Sequence, residues 1–180
     1  MKRLTHPILL LSLCALLLLL GLGWLGLTDR DEGNNGEAAR EMVETGNWVS
    51  PTVNYTPHFN KPAFVYWLMA TSYTLFGVSE FTARLPSALF MMGTVLLQYA
   101  FVRRWFGSTV GITSALMLLL NLEMVAIGRM ALMDSVLTFF TTLAIYGVWM
   151  GLHGEGKERR LIWLFYIGMG FGTKAKGPIG

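Results

Sequence analysis

The 180-residue sequence predicts an all-α polytopic membrane protein. Two observations carry that prediction. Only 14% of the residues are charged while 53% are hydrophobic, whereas soluble domains carry about a quarter charged residues. The charges are also segregated, leaving uncharged runs that reach the roughly 17–25 residues a helix needs to cross a bilayer. The net charge of +3 is small and spread around those runs, so no nucleic-acid partner is expected. The single Cys14 excludes an intrachain disulfide and argues against a thiolate metal site.

The first span is expected at about residues 7–27, behind the basic start Lys2-Arg3. Its Leu-rich run is too long for the apolar region of a cleaved signal peptide, which reads it as an uncleaved anchor with a cytoplasmic N-terminus. Residues 28–80 then form an external loop. Within it, Glu37 to Glu44 has the spacing of a short amphipathic helix, with Asn34 or Asn35 to cap its start and Gly46 its end. Pro51 and Pro57 mark an extended stretch after it.

Residues 62–79 are uncharged and long enough to span, but they are crowded with Phe64, Tyr66, Trp67, Tyr73 and Phe76, rings that favour the membrane interface. The positive-inside bias decides the matter. With this run outside the membrane, Arg103-Arg104 and the Lys157, Arg159, Arg160 cluster join Lys2-Arg3 on the cytoplasmic side. It is therefore expected to lie in the outer interface. Further spans follow at about 84–103, 105–122, 131–152 and from about 161 onward, five in all. The chain stops within or just past the fifth, which reads as the N-terminal part of a longer protein.

This topology collects Asp31, Glu32, Lys61, Arg84, Arg129, Asp134, Lys174 and Lys176 on the outer face. Ionisable groups at membrane depth are costly and point to function. Bases beside acids suit a phosphate-bearing substrate: the bases hold phosphate oxygens while a carboxylate accepts a proton from an attacking hydroxyl. Spacing alone leaves plainer roles open. Asp31 and Glu32 serve equally as first-turn acids of a surface helix, Asp134 as a cap or a partner of Arg129, and Lys61, Lys174 and Lys176 as headgroup anchors. No P-loop, paired-His motif or nucleophile elbow is present.

An ordered set of motifs goes further. Asp31-Glu32-Gly33, the run Glu37 to Trp48 with Ala39-Arg40-Glu41-Met42 and Gly46-Asn47-Trp48, Asn60-Lys61-Pro62, Tyr66-Trp67, Phe76-Gly77 and Ala83-Arg84-Leu85-Pro86-Ser87 follow one another. Arg129 with Asp134, then Lys176-Gly177-Pro178, complete the set. It resembles the lipid-linked-sugar glycosyltransferases related to aminoarabinose transferase and protein O-mannosyltransferase. The resemblance covers nearly the whole chain from residue 29.

It implies the type-C membrane glycosyltransferase fold, with juxtamembrane helices in the first external loop. It also implies inverting transfer from a polyprenyl-phosphate sugar donor to a lipid (lipid A-like) or protein acceptor. The enzyme would sit in the cytoplasmic membrane among its lipids, with its active site on the external face. Asp31 matches the family's principal catalytic acid, Asp134 its second membrane-face acid, and Lys61 a lysine near the donor phosphate. Glu32, Arg84, Arg129, Lys174 and Lys176 are expected to contact substrate. No cofactor is assigned. A divalent metal is disfavoured because Asn60 stands where the aminoarabinose enzymes carry Glu, and Gly33-Asn34-Asn35-Gly36 departs from the Ala-Arg-Tyr-Ala of close relatives. The competing reading is a non-catalytic transporter or assembly subunit that binds lipid phosphates through Lys61, Lys174 and Lys176.

Overall fold

A computed structural model of the chain describes residues 2–177. Pro178, which ends the last motif, lies outside the described residues, as do the side chains of Lys2, Arg3 and Lys157. The described chain is mostly helical: α1 (Lys2–Cys14, continued by a π turn, Ala15–Leu19), α2 (Arg30–Thr45), α3 (Phe64–Phe76), α4 (Glu80–Phe106), α5 (Ser108–Leu119), α6 (Leu122–Gly128), α7 (Asp134–His153) and α8 (Trp163–Lys176). A 3₁₀ segment, Gly156–Ile162, joins α7 to α8.

The helix expected over 7–27 stops at Leu19. Glycines are poor helix formers, and three of them (21, 23 and 26) follow the leucine run. Gly21 adopts φ 67°, a left-handed turn that reverses the chain. From there the backbone runs irregularly to Asp29. Its carbonyls need partners, since unpaired polar backbone near a bilayer is costly. Two distant arginines supply them: Arg129 Nη1 donates to the carbonyls of Leu17 (2.7 Å) and Leu20 (2.9 Å). Arg84 donates to those of Leu22 (2.9 Å), Leu25 (2.7 Å) and Gly26 (2.8 Å).

Helix α2 is longer than the Glu37–Glu44 pattern indicated, because its cap is Asp29 and not Asn34 or Asn35. Asp29 Oδ1 accepts the N–H of Asp31 at 2.8 Å, and Gly46 closes the helix at φ 70°. Next comes a two-residue hairpin, β1 (Thr52–Val53) with β2 (Thr56–Pro57), turning through Asn54 and Tyr55 at φ 52° and 57°. The buried Glu41 carboxylate anchors it, accepting from the Tyr55 N–H (3.0 Å) and the Thr52 hydroxyl.

Ser79 and Thr82 form a reciprocal capping box that starts α4. The span expected over 105–122 is not one rod: α5 and α6 bend by 66° at Leu120-Asn121, where Asn121 caps α6 by accepting the N–H of Met124. By length and composition α4 and α7 suffice to cross a membrane, and α5 with α6 makes a third if the bent pair counts as one span. Helices α7 and α8 approach closely through glycines. A Cβ on Gly168 would stand 2.5 Å from the Phe140 carbonyl oxygen, and one on Gly147 2.5 Å from the Phe165 nitrogen.

Two apolar cores result. One joins α1, α4 and α5 through Leu10, Leu18, Met91, Val95 and Leu119. The other joins α2, α3, α7 and α8 through Met42, Tyr66, Met69, Val136 and Ala175. Helices α4 and α7 begin, and α8 ends, beside α2 and α3, so the loop helices cover one end of the bundle. At the opposite end Arg104 bonds Glu158 at 2.8 Å, tying the end of α4 to the α7–α8 connection.

Candidate active site

Four ionisable side chains meet at the covered end as two ion pairs. Lys61 Nζ lies 2.8 Å from Asp31 Oδ2, and Lys176 Nζ lies 2.6 Å from Asp134 Oδ1. Each pair joins elements far apart in the chain: the first turn of α2 with the approach to α3, and the first turn of α7 with the last turn of α8. Both remain accessible to solvent, with Lys61 and Asp31 exposed to 26% and 59%. The hydrogen bond from Lys61 holds the Asp31 carboxyl below the usual carboxylate range, and the field of Lys176 reaches it in the same sense. Both pairs lie at the end of the bundle that α2 and α3 cover.

Beneath it lies a second, dry layer. Glu32 follows Asp31 but points inward and is fully buried. Its carboxylate accepts Arg84 Nε at 2.7 Å and Nη2 at 2.9 Å, the Ala131 N–H at 2.8 Å and the Thr28 N–H at 3.2 Å. Burial pushes this carboxyl up, yet the bonds from Arg84 and the Ala131 amide outweigh that and leave it below its ordinary value. Asn35 Nδ2 donates to the Ala131 carbonyl at 2.9 Å, and Ser87 Oγ to that of Leu132 at 3.0 Å. Two helices, α2 and α4, thus grip the short loop that delivers Asp134.

Of the eight expected site residues, four converge as described and four do not. Glu32 and Arg84, expected to contact substrate, satisfy each other and the backbone, leaving neither carboxylate nor guanidinium turned to solvent. Arg129 commits its Nη1 to the end of the first helix. Lys174 is exposed beside Tyr166, Ile167 and Phe171 on the far face of α8, because residues two apart on a helix do not share a face. The sequence reading missed Asn35 as a buried anchor, having taken it for a cap. It also missed Tyr66, whose buried hydroxyl has no hydrogen-bond partner among the described residues. Among those residues no three His, Cys, Asp or Glu side chains converge to hold a metal.

The family model for dolichyl-phosphate-mannose-protein mannosyltransferase matches residues 34–180. The chain belongs to that family. It is 34% identical, over 178 residues and 96% of its length, to the undecaprenyl phosphate-alpha-4-amino-4-deoxy-L-arabinose arabinosyl transferase 2 of Pseudomonas fluorescens (strain Pf0-1), covering 32% of that relative. The corresponding transferase of Wigglesworthia glossinidia brevipalpis is 28% identical over 178 residues. Among solved structures, ArnT from Cupriavidus metallidurans bound to undecaprenyl phosphate superposes with a TM-score of 0.89 at 27% identity. That superposition covers 96% of this chain and 32% of ArnT. The chain thus has the ArnT membrane fold and spans about a third of the length of the curated relatives it matches.

Proposed function

We propose that this chain forms the catalytic-carboxylate and phosphate-holding part of an inverting glycosyltransferase. It would use a polyprenyl-phosphate sugar donor at the outer face of the cytoplasmic membrane. The observation that carries the reading is the pairing of Asp31 with Lys61 and of Asp134 with Lys176 at one end of an apolar bundle. The relatives' names supply the donor class, undecaprenyl phosphate carrying a sugar. The outer-face assignment is supported by charge: Arg103, Arg104, Arg159 and Arg160 gather at the opposite end, as cytoplasmic loops do.

In the absence of substrate each lysine neutralises a carboxylate. A donor phosphate competes for Lys61, and a surface pair of this kind is held weakly enough to exchange. Once Lys61 turns to the phosphate, Asp31 loses the partner that depresses its pKa and becomes more basic. The acceptor oxygen then bonds to the anomeric carbon as the bond to the phosphate oxygen breaks. The electron pair leaves on polyprenyl phosphate, whose growing charge Lys61 and Lys176 stabilise. With a hydroxyl acceptor, on protein or lipid, Asp31 takes the proton. With a lipid A-like phosphate acceptor no base is needed, and Asp31 orients the reactants. Asp134 holds Lys176 in place for the same phosphate. Five spans, with α1 and α8 completing the count, accommodate this arrangement.

The test is transfer of labelled sugar from undecaprenyl phosphate in the full-length protein, wild type against Asp31→Asn. Loss of a positioned general base costs roughly 10²–10⁴-fold. Undiminished transfer would sink the catalytic role of Asp31.

A further inference from the structure

Tyr66 is fully buried on α3, five residues beyond Lys61, and its hydroxyl takes no part in the ion pairs of the site. Its ring belongs to the apolar core that also holds Ala131, Met133 and Ala175. Met133 and Ala175 immediately precede Asp134 and Lys176, so the ring belongs to the core from which those two side chains of the site rise. Buried hydroxyls are normally hydrogen-bonded, and an orphan asks for an explanation. The Tyr66 hydroxyl has no partner among the described residues. Phenylalanine would fill the same space without that burden.

We infer that the Tyr66 hydroxyl is a further ligand-binding group of this site, donating a hydrogen bond to a phosphate oxygen of the bound polyprenyl phosphate. The inference rests on the phosphate-holding role proposed for Lys61. In the ligand-free protein Lys61 lies across Asp31. On this inference, a phosphate that draws Lys61 away from Asp31 reaches the Tyr66 hydroxyl as well. Burial and the nearby Asp31 charge push the Tyr66 pKa up to about 12, which keeps the group a neutral O–H donor throughout the physiological range. A neutral donor suits a leaving group whose negative charge grows, because it adds stabilisation without another cation to neutralise in the empty site.

The experiment measures undecaprenyl phosphate affinity and thermal stability for the wild-type full-length protein, Tyr66→Phe and Lys61→Met, with inorganic phosphate as a separate probe. Tyr66→Phe is expected to weaken undecaprenyl phosphate binding about five- to tenfold while leaving the ligand-free melting temperature unchanged or raised. That combination separates a ligand donor from a structural bond. Unchanged affinity in Tyr66→Phe, with wild type binding and Lys61→Met impaired, overturns the inference and leaves the phosphate site standing. A drop in ligand-free stability on losing the hydroxyl also overturns it, since the group would then have an internal partner. Failure of the wild type to bind undecaprenyl phosphate overturns both. If inorganic phosphate alone reproduces the Tyr66→Phe defect, the donor contacts the phosphate group itself; a defect seen with neither probe counts against it.

Discussion

Glu32 and Arg84 form a bidentate pair at 2.7 and 2.9 Å, with side-chain exposures of 0% and 6%. The pair connects three parts of the chain. Arg84 closes the irregular end of the first helix through three carbonyls, and Glu32 receives the Ala131 amide from the loop before Asp134. One neighbour of Glu32 is Asp31. The two carboxylates of the site are thus set at a fixed separation by a residue that itself touches no solvent.

Replacing Arg84 with Leu would leave a buried carboxylate and three backbone carbonyls without a donor. Removing one partner of a buried pair costs about 3–5 kcal/mol. We predict a loss of that order in the unfolding free energy of Arg84→Leu. Glu32→Gln, which keeps the shape and part of the hydrogen bonding, should lose less. Equal stability of Arg84→Leu and wild type would mean the pair is not the tie described.

The pH dependence has a definite sign. The folded-state pKa of Glu32 lies below its ordinary value near 4.5, so its contribution to stability is fully present above that value. It is lost as the pH falls through the lower, folded pKa. Wild type should therefore lose melting temperature on acidification below about pH 4.5 more steeply than Glu32→Gln, which cannot titrate at this position. Asp31 has the same sign, but its exposure and its solvent-screened lysine limit its share. Parallel melting curves for wild type and Glu32→Gln across that range would contradict the assignment.

Much of this was legible in the sequence because local chemistry dictates it. Gly46 reads as a left-handed cap and is one. The aromatic run from Phe64 reads as a helix apart from the long apolar rods, and α3 packs with α2 over the bundle end. Other features depend on contacts the sequence does not display. The first helix can end at Leu19 because Arg129 and Arg84, far along the chain, donate to the carbonyls freed there; the leucine run hides that ending. Asn121 breaks one apolar run into α5 and α6, although hydropathy alone reads it as continuous. Asp31 and Glu32 are adjacent and chemically alike, yet Asp29 capping sets α2 so that one faces solvent and the other the interior. Helical phase, fixed by the Asp29 cap, decides which carboxylate meets Lys61 and which meets Arg84.

The claim most exposed to test is that Lys61 and Lys176 hold one phosphate between them. A double-mutant cycle settles it: undecaprenyl phosphate affinity of the full-length protein, Lys61→Met, Lys176→Met and the double variant. Charge-assisted hydrogen bonds contribute about 1.5–3 kcal/mol, so each single variant should bind roughly ten- to a hundredfold more weakly. Because both lysines would grip the same group, the losses should be coupled by about 0.5 kcal/mol or more. Strictly additive losses, or full affinity in either single variant, would contradict a shared phosphate site.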